Sequence, residues 1–265
     1  MRAAVAIAVA AALALAGGAV SAKSKSKAKA KELSGDSIVD EMVDKDPLGY
    51  GGAEARVLMV LVNNREQQRK RKVMMMSRKD GDTRYTFVRF QSPTDVAGTS
   101  FLGIDDDGDR TQHLFLPALQ RTRRISSKQR NASFVGTDYS YADMDMRDID
   151  DSSRKRLDDE SIGGRDCFVV EVVPSSGDSE YARVTLWVEK KSMLPLRMRF
   201  YDSSDNEVKR FTAKEIKKVD GRWIINESKM VDLKREHSTI MKVVEITLRD
   251  DIPLEQFTVR ALERG

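Results

Sequence analysis

Apolar and polar residues alternate with a period of two along most of the chain beyond residue 56. Successive side chains of a β-strand point to opposite faces, so this alternation predicts strands wherever it persists. The segments that show it are 57–62, 72–78, 83–90, 167–173, 181–189, 195–201, 208–219, 222–233 and 239–248. In segment 83–90 each face carries an aromatic side chain, Phe87 on one and Phe90 on the other, a pattern compatible with cover on both faces.

The connections between these segments are short and rich in turn residues. Lys79-Asp80-Gly81-Asp82 and Asp220-Gly221 are hairpin signals, because glycine accepts the positive φ that a two-residue turn between antiparallel strands requires. Many strands at short spacing argue against alternating α/β units. The pattern predicts a mainly β fold, a strongly curved antiparallel meander with helical additions.

The stretch between residues 89 and 125 departs from simple alternation. Ser92-Pro93 should end a strand, because proline lacks a backbone donor. Segments 99–104 and 112–116 then predict two strands joined by a tight Asp-Gly turn. A basic rim follows beyond this apolar edge, and it contains Arg121, Arg123 and Arg124.

A helical pattern occurs once before the strands, over residues 36–46. Its apolar stripe consists of Ile38, Val39, Met42 and Val43. Ser34 or Asp36 is a candidate N-cap. The sequence therefore predicts a short amphipathic helix whose apolar face must be covered by a sheet or by the mouth of a hydrophobic cavity.

Residues 126–164 form the least regular region. Its first part, 134–144, groups three aromatic residues around a Gly-Thr-Asp turn, and residues 143–160 are dense in aspartate. Neither this run nor 105–109 has the ligand spacing of a calcium loop. The prediction for 143–160 is a surface loop or a polar helix.

The N-terminus has the pattern of a secretory signal peptide over residues 1–22. Arg2 precedes an apolar run rich in alanine, and small residues up to Ala22 supply the cleavage pattern. The run is too short for a good membrane span, and no cysteine follows the cleavage point to be lipidated. Residues 23–33, almost all Lys, Ser and Ala, predict a flexible linker, either solubilising or in contact with anionic lipid. Residues 34–265 are then one exported domain.

The overall composition argues against nucleic-acid binding and against a disulfide-stabilised fold. The 265 residues carry 46 Lys plus Arg against 42 Asp plus Glu, and the net charge of +4 is too small to argue for nucleic acid. Cys167 is the only cysteine, so no intramolecular disulfide forms. It alternates with Val169 in an apolar strand, which predicts a buried structural thiol rather than a reactive one.

The sequence contains no recognisable catalytic pattern. His113 heads an apolar strand, and His237 follows a charged stretch in a predicted turn. Neither has a companion at metal-ligand spacing, and there is no nucleophile elbow or phosphate-binding glycine loop. The sequence predicts a protein that is not an enzyme and uses neither a cofactor nor a metal.

Methionine is frequent in the predicted strands and at their ends. The residues concerned are Met74, Met75, Met76, Met193, Met198, Met230 and Met241. Methionine is flexible and polarisable, so it suits a wall that adapts to variable apolar ligands, although each residue alone fits equally well as core filler. Together they favour a half-closed barrel with an apolar cavity of lipid size.

Several motifs resemble the LolA-like outer-membrane lipoprotein-sorting protein family. They are SPTDVAGT (92–99), LPAL (116–119), RRI (123–125), FVGTDYSY (134–141), LWV (186–188), LPLR (194–197), FYD (200–202), DGRW (220–223) and IPL (252–254). The resemblance implies an incomplete antiparallel β-barrel wrapped around helices, with an apolar cavity that accepts acyl chains in the periplasm. It is to the sorting-protein branch rather than the carrier proper, so an envelope lipid handed to an inner-membrane transporter of the resistance-nodulation-division type is an alternative to lipoprotein delivery.

The interpretation as a non-catalytic lipid or lipoprotein-acyl carrier gives specific expectations. The helix at 36–46 and the region 126–164 are candidate lids. Arg121, Arg123 and Arg124 are candidate headgroup or membrane contacts, with a solvated rim as the alternative. The expected cavity wall, each member of which is an equally good core residue, is Phe87, Phe101, Phe115, Phe134, Tyr139, Trp187 and Met198.

Two other functional classes predict different features. A periplasmic protein-interaction or regulatory module of an envelope transporter or stress-sensing system would have a filled cavity and an exposed apolar patch or free sheet edge instead. An outer-membrane barrel is disfavoured, because the predicted strands carry charged residues on both faces, where a lipid-facing band must be apolar.

Overall fold

The computed structural model describes residues 33–46, 52–144, 146–175 and 177–264. The predicted signal peptide and all of the predicted linker except Leu33 lie outside the described residues.

In the described part of the chain, thirteen strands form one antiparallel sheet in the order β6-β5-β4-β3-β2-β1-β13-β12-β11-β10-β9-β8-β7. The sheet is curved and does not close, since β6 and β7 are its two edges. The strands are β1 (Ala53–Val62), β2 (Gln68–Asp80), β3 (Thr83–Ser92), β4 (Ser100–Asp106), β5 (Asp109–Leu116), β6 (Arg121–Arg124), β7 (Ser152–Ile162), β8 (Arg165–Pro174), β9 (Arg183–Glu189), β10 (Pro195–Tyr201), β11 (Glu207–Val219), β12 (Arg222–Asp232) and β13 (His237–Leu248). The predicted fold class, an incomplete antiparallel β-barrel, is confirmed.

The topology differs in one respect from a single meander. β1 to β6 form one meander and β7 to β13 form another, and the two are joined where β1 pairs with β13. The chain therefore has to pass from one edge of the sheet to the other between β6 and β7. Residues 125–151, described except for residue 145, make this crossing and are called the crossing segment below. Because they span the sheet from edge to edge, they lack the short hairpin connections found elsewhere.

One strand contradicts the sequence-based expectation. Residues 152–160, expected in a surface loop or polar helix, belong to β7, which pairs with β8 from Ser152↔Pro174 to Ile162↔Arg165. The strand is mostly charged and largely exposed. Charged side chains on an edge strand discourage pairing with another chain. The polar sequence of β7 is therefore explained by its position at the edge of the sheet, not by a loop conformation.

The predicted hairpin turns are confirmed. Gly81, in the turn between β2 and β3, has a φ of 60°, and the other two turns each have two successive residues with positive φ. Asp107 and Gly108 have φ values of 47° and 88°, and Asp220 and Gly221 have values of 46° and 82°. Two successive residues with positive φ characterise the type I′ turn, whose twist matches that of antiparallel strands. Glycine at the second position removes the steric cost of that conformation.

Helix α1 (Gly35–Asp44) begins at the predicted cap, where the Ser34 side chain accepts a hydrogen bond from the Ser37 amide. Its predicted stripe is buried against β7, β8 and α3 (Arg147–Asp150). A Cβ on Gly35 would lie only 3.0 Å from the Arg156 backbone nitrogen, so only glycine lets the helix approach β7 this closely.

The two faces of the sheet are both covered, as β3 suggested. The inner face, defined here as the one that α1 packs against, carries the main core. On the outer face, the C-terminal segment brings Ile252, Phe257 and Leu262 onto Phe87 and its neighbours, and α4 (Val259–Glu263) packs on β4 to β6. A third cluster surrounds the buried Cys167, whose pKa burial raises to about 11, as expected for a structural thiol.

Candidate ligand-binding cavity

A cavity of about 210 Å³ lies at the inner face of the sheet, between the strands and the crossing segment. By the same measure a single water needs roughly 10–15 Å³, so this is far more than a packing defect. Strands from both meanders build its wall, which includes Ala55, Met75, Phe101, Met198, Met230 and Met241. The cavity therefore exists only once β1 and β13 have joined the two halves.

Methionine dominates the apolar wall. Met75, Met198, Met230 and Met241 come from four different strands, and the crossing segment adds Met144 and Met146 to the opposite side. Of the methionines singled out from the sequence, Met74 and Met193 are not part of the wall. Thioether side chains change rotamer at little cost, so such a wall can adjust to chains of different shape.

Three of the seven expected wall residues line the cavity, namely Phe101, Tyr139 and Met198. Phe134 lies behind the wall, where its ring packs edge-on against Phe101 at 5.1 Å and against Tyr141 at 5.6 Å between centroids. It therefore supports the position of Phe101 rather than facing the cavity.

The other three expected residues lie on the outer face and do not line the cavity. Phe87 and Phe115 contact the cluster under the C-terminal segment. Trp187 belongs to the Cys167 cluster, and its indole N–H donates to Glu160 Oε2 at 2.9 Å. Strand alternation separates two sets of side chains but does not say which set faces inward when both are apolar.

The crossing segment forms the roof of the cavity and contains α2 (Tyr141–Met144) and α3. Near its start, the buried Asp138 carboxylate accepts a hydrogen bond from Thr239 Oγ1 at 2.6 Å and lies 2.7 Å from His237 Nδ1. Thr239 Oγ1 also accepts from the Asp138 amide at 3.0 Å. His237, expected in a turn, thus opens β13 and helps to hold the roof on the sheet.

A buried polar cluster marks the other side of the roof. Lys209 Nζ lies 3.6 Å from Asp143 Oδ2 and donates to Glu180 Oε1 at 2.8 Å and to the Tyr181 hydroxyl at 2.7 Å. The Tyr181 hydroxyl in turn donates to Asp143 Oδ1 at 3.2 Å, and the Ser140 amide donates to the same carboxylate at 2.7 Å. Asp143 and Tyr181 both line the cavity, so its wall is not uniformly apolar.

Burial controls the ionisation of this cluster. It raises the pKa of Asp143, although Lys209 and the Ser140 amide act in the opposite direction. Burial, followed by the nearby Asp143, raises the pKa of Tyr181 well above its usual range, so the phenol stays neutral. Burial acts to lower the pKa of Lys209, but Asp143 and Glu180 outweigh it and the pKa is raised.

A second buried ion pair joins Arg130 to Asp148, which also accepts a hydrogen bond from Ser179 Oγ at 2.8 Å. Among the described residues, no three His, Cys, Asp or Glu side chains are grouped as metal ligands. What the geometry provides is an apolar space with a polar, ion-paired edge, suited to binding a molecule that is mostly apolar.

Sequence reasoning missed several of these residues. Lys209 offered a usable signal, because it shares a strand face with the buried Phe211. A lysine within an apolar strand face requires a buried acidic partner. The wall residues Ala53 and Ala55 carried no comparable signal, since alanine fits any environment.

The basic rim falls at the edge of the sheet. Arg121, Arg123 and Arg124 form most of β6 and are exposed, and the intervening Thr122 Oγ1 donates to Glu263 at 2.7 Å. Of the two candidate lids, the end of α1 borders the cavity through Val43 and Asp44, and the crossing segment covers it.

An open antiparallel sheet that curls around an apolar cavity and is roofed by its own crossing segment defines a half-barrel with room for a ligand. A family model described as an uncharacterized protein matches residues 82–264, more than half of the chain. A solved domain from Vibrio parahaemolyticus, described as an outer membrane lipoprotein-sorting protein, is 29% identical with a TM-score of 0.77, and the match covers 87% of this chain and 98% of the other.

Two further structures share the fold. A DUF1329 family protein from Desulfovibrio piger is 26% identical with a TM-score of 0.76, covering 86% of this chain and 97% of that protein. The LolA superfamily protein NE2245 from Nitrosomonas europaea has a TM-score of 0.67 and covers 87% of this chain and 100% of its own length; at 20% identity it shows the fold alone. The chain belongs to the family of the matching model described as an uncharacterized protein, and its structure is similar to those of the lipoprotein-sorting, DUF1329 and LolA superfamily proteins.

No curated protein matches the chain. Within the described ranges, no helix has both the length and the apolar character needed to span a bilayer.

Proposed function

We propose that this protein is a periplasmic, non-catalytic carrier that binds lipid or lipoprotein acyl chains during outer-membrane lipoprotein sorting or envelope lipid transport. The observation that carries the proposal is the methionine-rich cavity on the inner face, roofed by the crossing segment. The similarity to a domain described as a lipoprotein-sorting protein supports the same reading.

Burial of acyl methylenes supplies the driving force for binding. Each fully desolvated methylene contributes about 0.8 kcal/mol, so a chain of about a dozen gains on the order of 10 kcal/mol before the entropic costs of association. Capture is therefore easy and release is the difficult step. Release requires a movable cover, and we assign that part to the crossing segment and to the end of α1, which border the cavity.

The cellular setting belongs to the proposal as well. The predicted signal peptide would deliver the domain to the periplasm, where an inner-membrane transporter is a possible partner. Arg121, Arg123 and Arg124 are exposed on the edge strand β6, where they are free to touch anionic headgroups during a transient membrane contact.

The test is native mass spectrometry of the mature protein purified from its own periplasm, followed by lipid extraction. We expect a stoichiometric mass increment from a lipid or an acylated peptide. Two adjacent methionines of β2 give a matched pair of variants, because Met75 lines the cavity and Met74 does not. Met75→Asp should lose the bound lipid, whereas Met74→Asp should keep it.

Circular dichroism and thermal melting establish that both variants are folded. A wild-type protein that is free of lipid and takes up neither phospholipid nor lipopeptide would refute the carrier function. Attention would then move to the protein-interaction alternative. Equal lipid loss in two folded variants would place the binding site elsewhere.

A further inference from the structure

A second pocket of about 310 Å³ lies beside the apolar cavity and differs from it in chemistry. Among the described residues, its lining includes three arginines, two serines and a glutamine, and no carboxylate. These residues are Arg110, Gln112, Arg124, Ser126, Ser127 and Arg130. A concave site with several guanidinium groups and no acidic side chain is suited to an anion.

The two spaces are neighbours, because Gln112 and Ala142 line both. Gln112 is buried in β5, and its Nε2 donates to the Tyr141 carbonyl oxygen at 2.8 Å. This bond fixes the thin partition between strand and roof. A single ligand could therefore place an apolar part in the cavity and a polar part in the pocket.

Arg130 is the feature that points to a missing acceptor. The residue is only 8% exposed, and one terminal nitrogen bonds Asp148. Its Nε is buried and has no hydrogen-bond partner among the described residues. A buried guanidinium N–H without an acceptor is costly and uncommon, so an oxygen of a bound anion is its natural partner.

Charge balance is compatible with an anion. Arg110 pairs with Asp105 at 3.1 Å and Arg130 pairs with Asp148, but both carboxylates line the apolar cavity rather than the pocket. Arg124 is exposed at the end of β6 and contributes further positive charge from the pocket's other side.

We infer that this pocket binds the phosphate headgroup of an anionic lipid whose acyl chain occupies the adjacent cavity. The inference rests on the proposed carrier function and narrows its cargo to amphiphiles with a negatively charged head. It adds Arg110 and Arg130 to the headgroup contacts expected from the sequence. Of the three basic residues expected there, it retains Arg124 for the pocket, since Arg121 and Arg123 do not line it.

The experiment compares two lipids with the same myristoyl chain, lysophosphatidic acid and monomyristoylglycerol, by isothermal titration calorimetry on the delipidated full mature chain. The wild-type protein should bind the phosphate-bearing lipid at least about tenfold more tightly, the scale of one good charged hydrogen bond. Arg124→Gln should remove most of that preference while leaving affinity for the neutral lipid unchanged. Arg69→Gln, an exposed arginine of β2 that lines neither space, is the matched control and should behave as wild type.

Arg130→Gln is the second variant, made together with Asp148→Asn so that no buried carboxylate is left unpaired. It should also lose the preference for phosphate, and its melting temperature reports whether it is folded. Inorganic phosphate serves as a separate ligand, to distinguish a headgroup from a free anion.

The outcomes separate the inference from the proposed function. Equal affinity for both lipids in the wild-type protein, unaltered in both variants, would overturn the headgroup site and leave the carrier function standing. Binding of inorganic phosphate without uptake of either lipid would overturn the lipid assignment and the carrier function together. If the protein binds neither lipid nor inorganic phosphate, both the headgroup site and the carrier function are likewise overturned.

Discussion

At the scale of single residues, the most consequential group is the buried cluster of Lys209, Asp143, Tyr181 and Glu180. It places an ion pair at the wall of a mostly apolar cavity. Buried pairs of this kind contribute little net stability, but removing one partner leaves a charge without compensation. The cluster therefore fixes where the roof meets β11 rather than strengthening the fold as a whole.

Lys209→Met should destabilise the protein by about 3–5 kcal/mol at pH 7.5, because the Asp143 carboxylate loses its buried counter-charge. Burial already raises the pKa of Asp143 above the pKa that this carboxyl has in the unfolded chain. Ionisation of the carboxyl therefore lowers the stability of the folded protein as the pH rises above the unfolded-state pKa. The variant raises that pKa further. Lys209 itself stays charged in the wild type over this range, since its pKa is raised.

The loss of unfolding free energy caused by Lys209→Met should therefore be larger at pH 7.5 than at pH 5, as measured by urea unfolding at both pH values. Adding Asp143→Asn to Lys209→Met is the control, because it removes the ionisable partner and with it most of the pH dependence. A loss of equal size at both pH values would mean that the deficit arises from packing instead of from the unpaired carboxylate.

At the scale of elements, the crossing segment is decisive. It connects the two sheet edges, so it has to lie over the inner face, and there it bonds to strands of both meanders. Arg71 of β2 donates to the Val135 carbonyl oxygen at 2.7 Å, and Thr239 of β13 holds Asp138. A roof tied at a few polar points and otherwise resting on a cavity can open locally at less cost than a strand of the sheet.

Thr239→Val keeps the shape of the side chain but removes both hydroxyl contacts to Asp138. We expect a loss of about 1–3 kcal/mol, the cost of leaving a buried acceptor under-satisfied. Hydrogen exchange of residues 134–144 should accelerate more than exchange in β8 and β9. Lipid exchange between carrier and vesicles should become faster as well.

Thr185→Val, another buried threonine on the sheet and away from the roof, is the matched control. It should leave the exchange of residues 134–144 at the wild-type rate. If the Thr239 variant also leaves this segment unchanged, the tether to Asp138 does not govern opening of the roof.

At the scale of the whole molecule, the β1–β13 pairing is the joint that turns two meanders into one half-barrel. The cavity wall draws on both halves, for example Met75 from the first and Met230 from the second. Burying a cavity costs stability relative to filling it, because its lining forgoes contacts. An unfilled interior is therefore a property retained for ligand binding under the proposed function.

Ala55→Phe tests whether the free space is real. Ala55 is buried on β1 and lines the cavity, so a larger side chain should extend into space that is already there. We expect a melting temperature at or above the wild-type value together with reduced capacity for acyl chains. Val57→Phe, two residues further along the same face but outside the cavity lining, is the control and should destabilise by about 1–3 kcal/mol through overpacking.

A lowered melting temperature for Ala55→Phe, similar to that of Val57→Phe, would show that the interior closes in solution. The carrier function would then lose its structural basis.

Local patterns in the sequence determined most of the elements. Period-two alternation predicted nine of the strands or their cores, the Asp-Gly pairs predicted hairpin turns, and the stripe from Ile38 to Val43 predicted α1 with its Ser34 cap. These signals are readable because each depends on neighbours within a few residues. The charged edge strand β7 escaped detection, since an edge position removes the apolar alternation on which strand prediction relies.

Only the tertiary structure decided which side of each strand faces the cavity. Phe87 and Val88 are both buried, Phe87 on the outer face of the sheet and Val88 on the inner face. Nothing in the local sequence indicates which of the two faces the cavity. The pairing of β1 with β13, across some 190 residues, sets that choice for the whole sheet. It also brings the crossing segment over the inner face and places Arg130 beside Arg124, because long-range pairing, unlike alternation, leaves no mark in any short stretch of sequence.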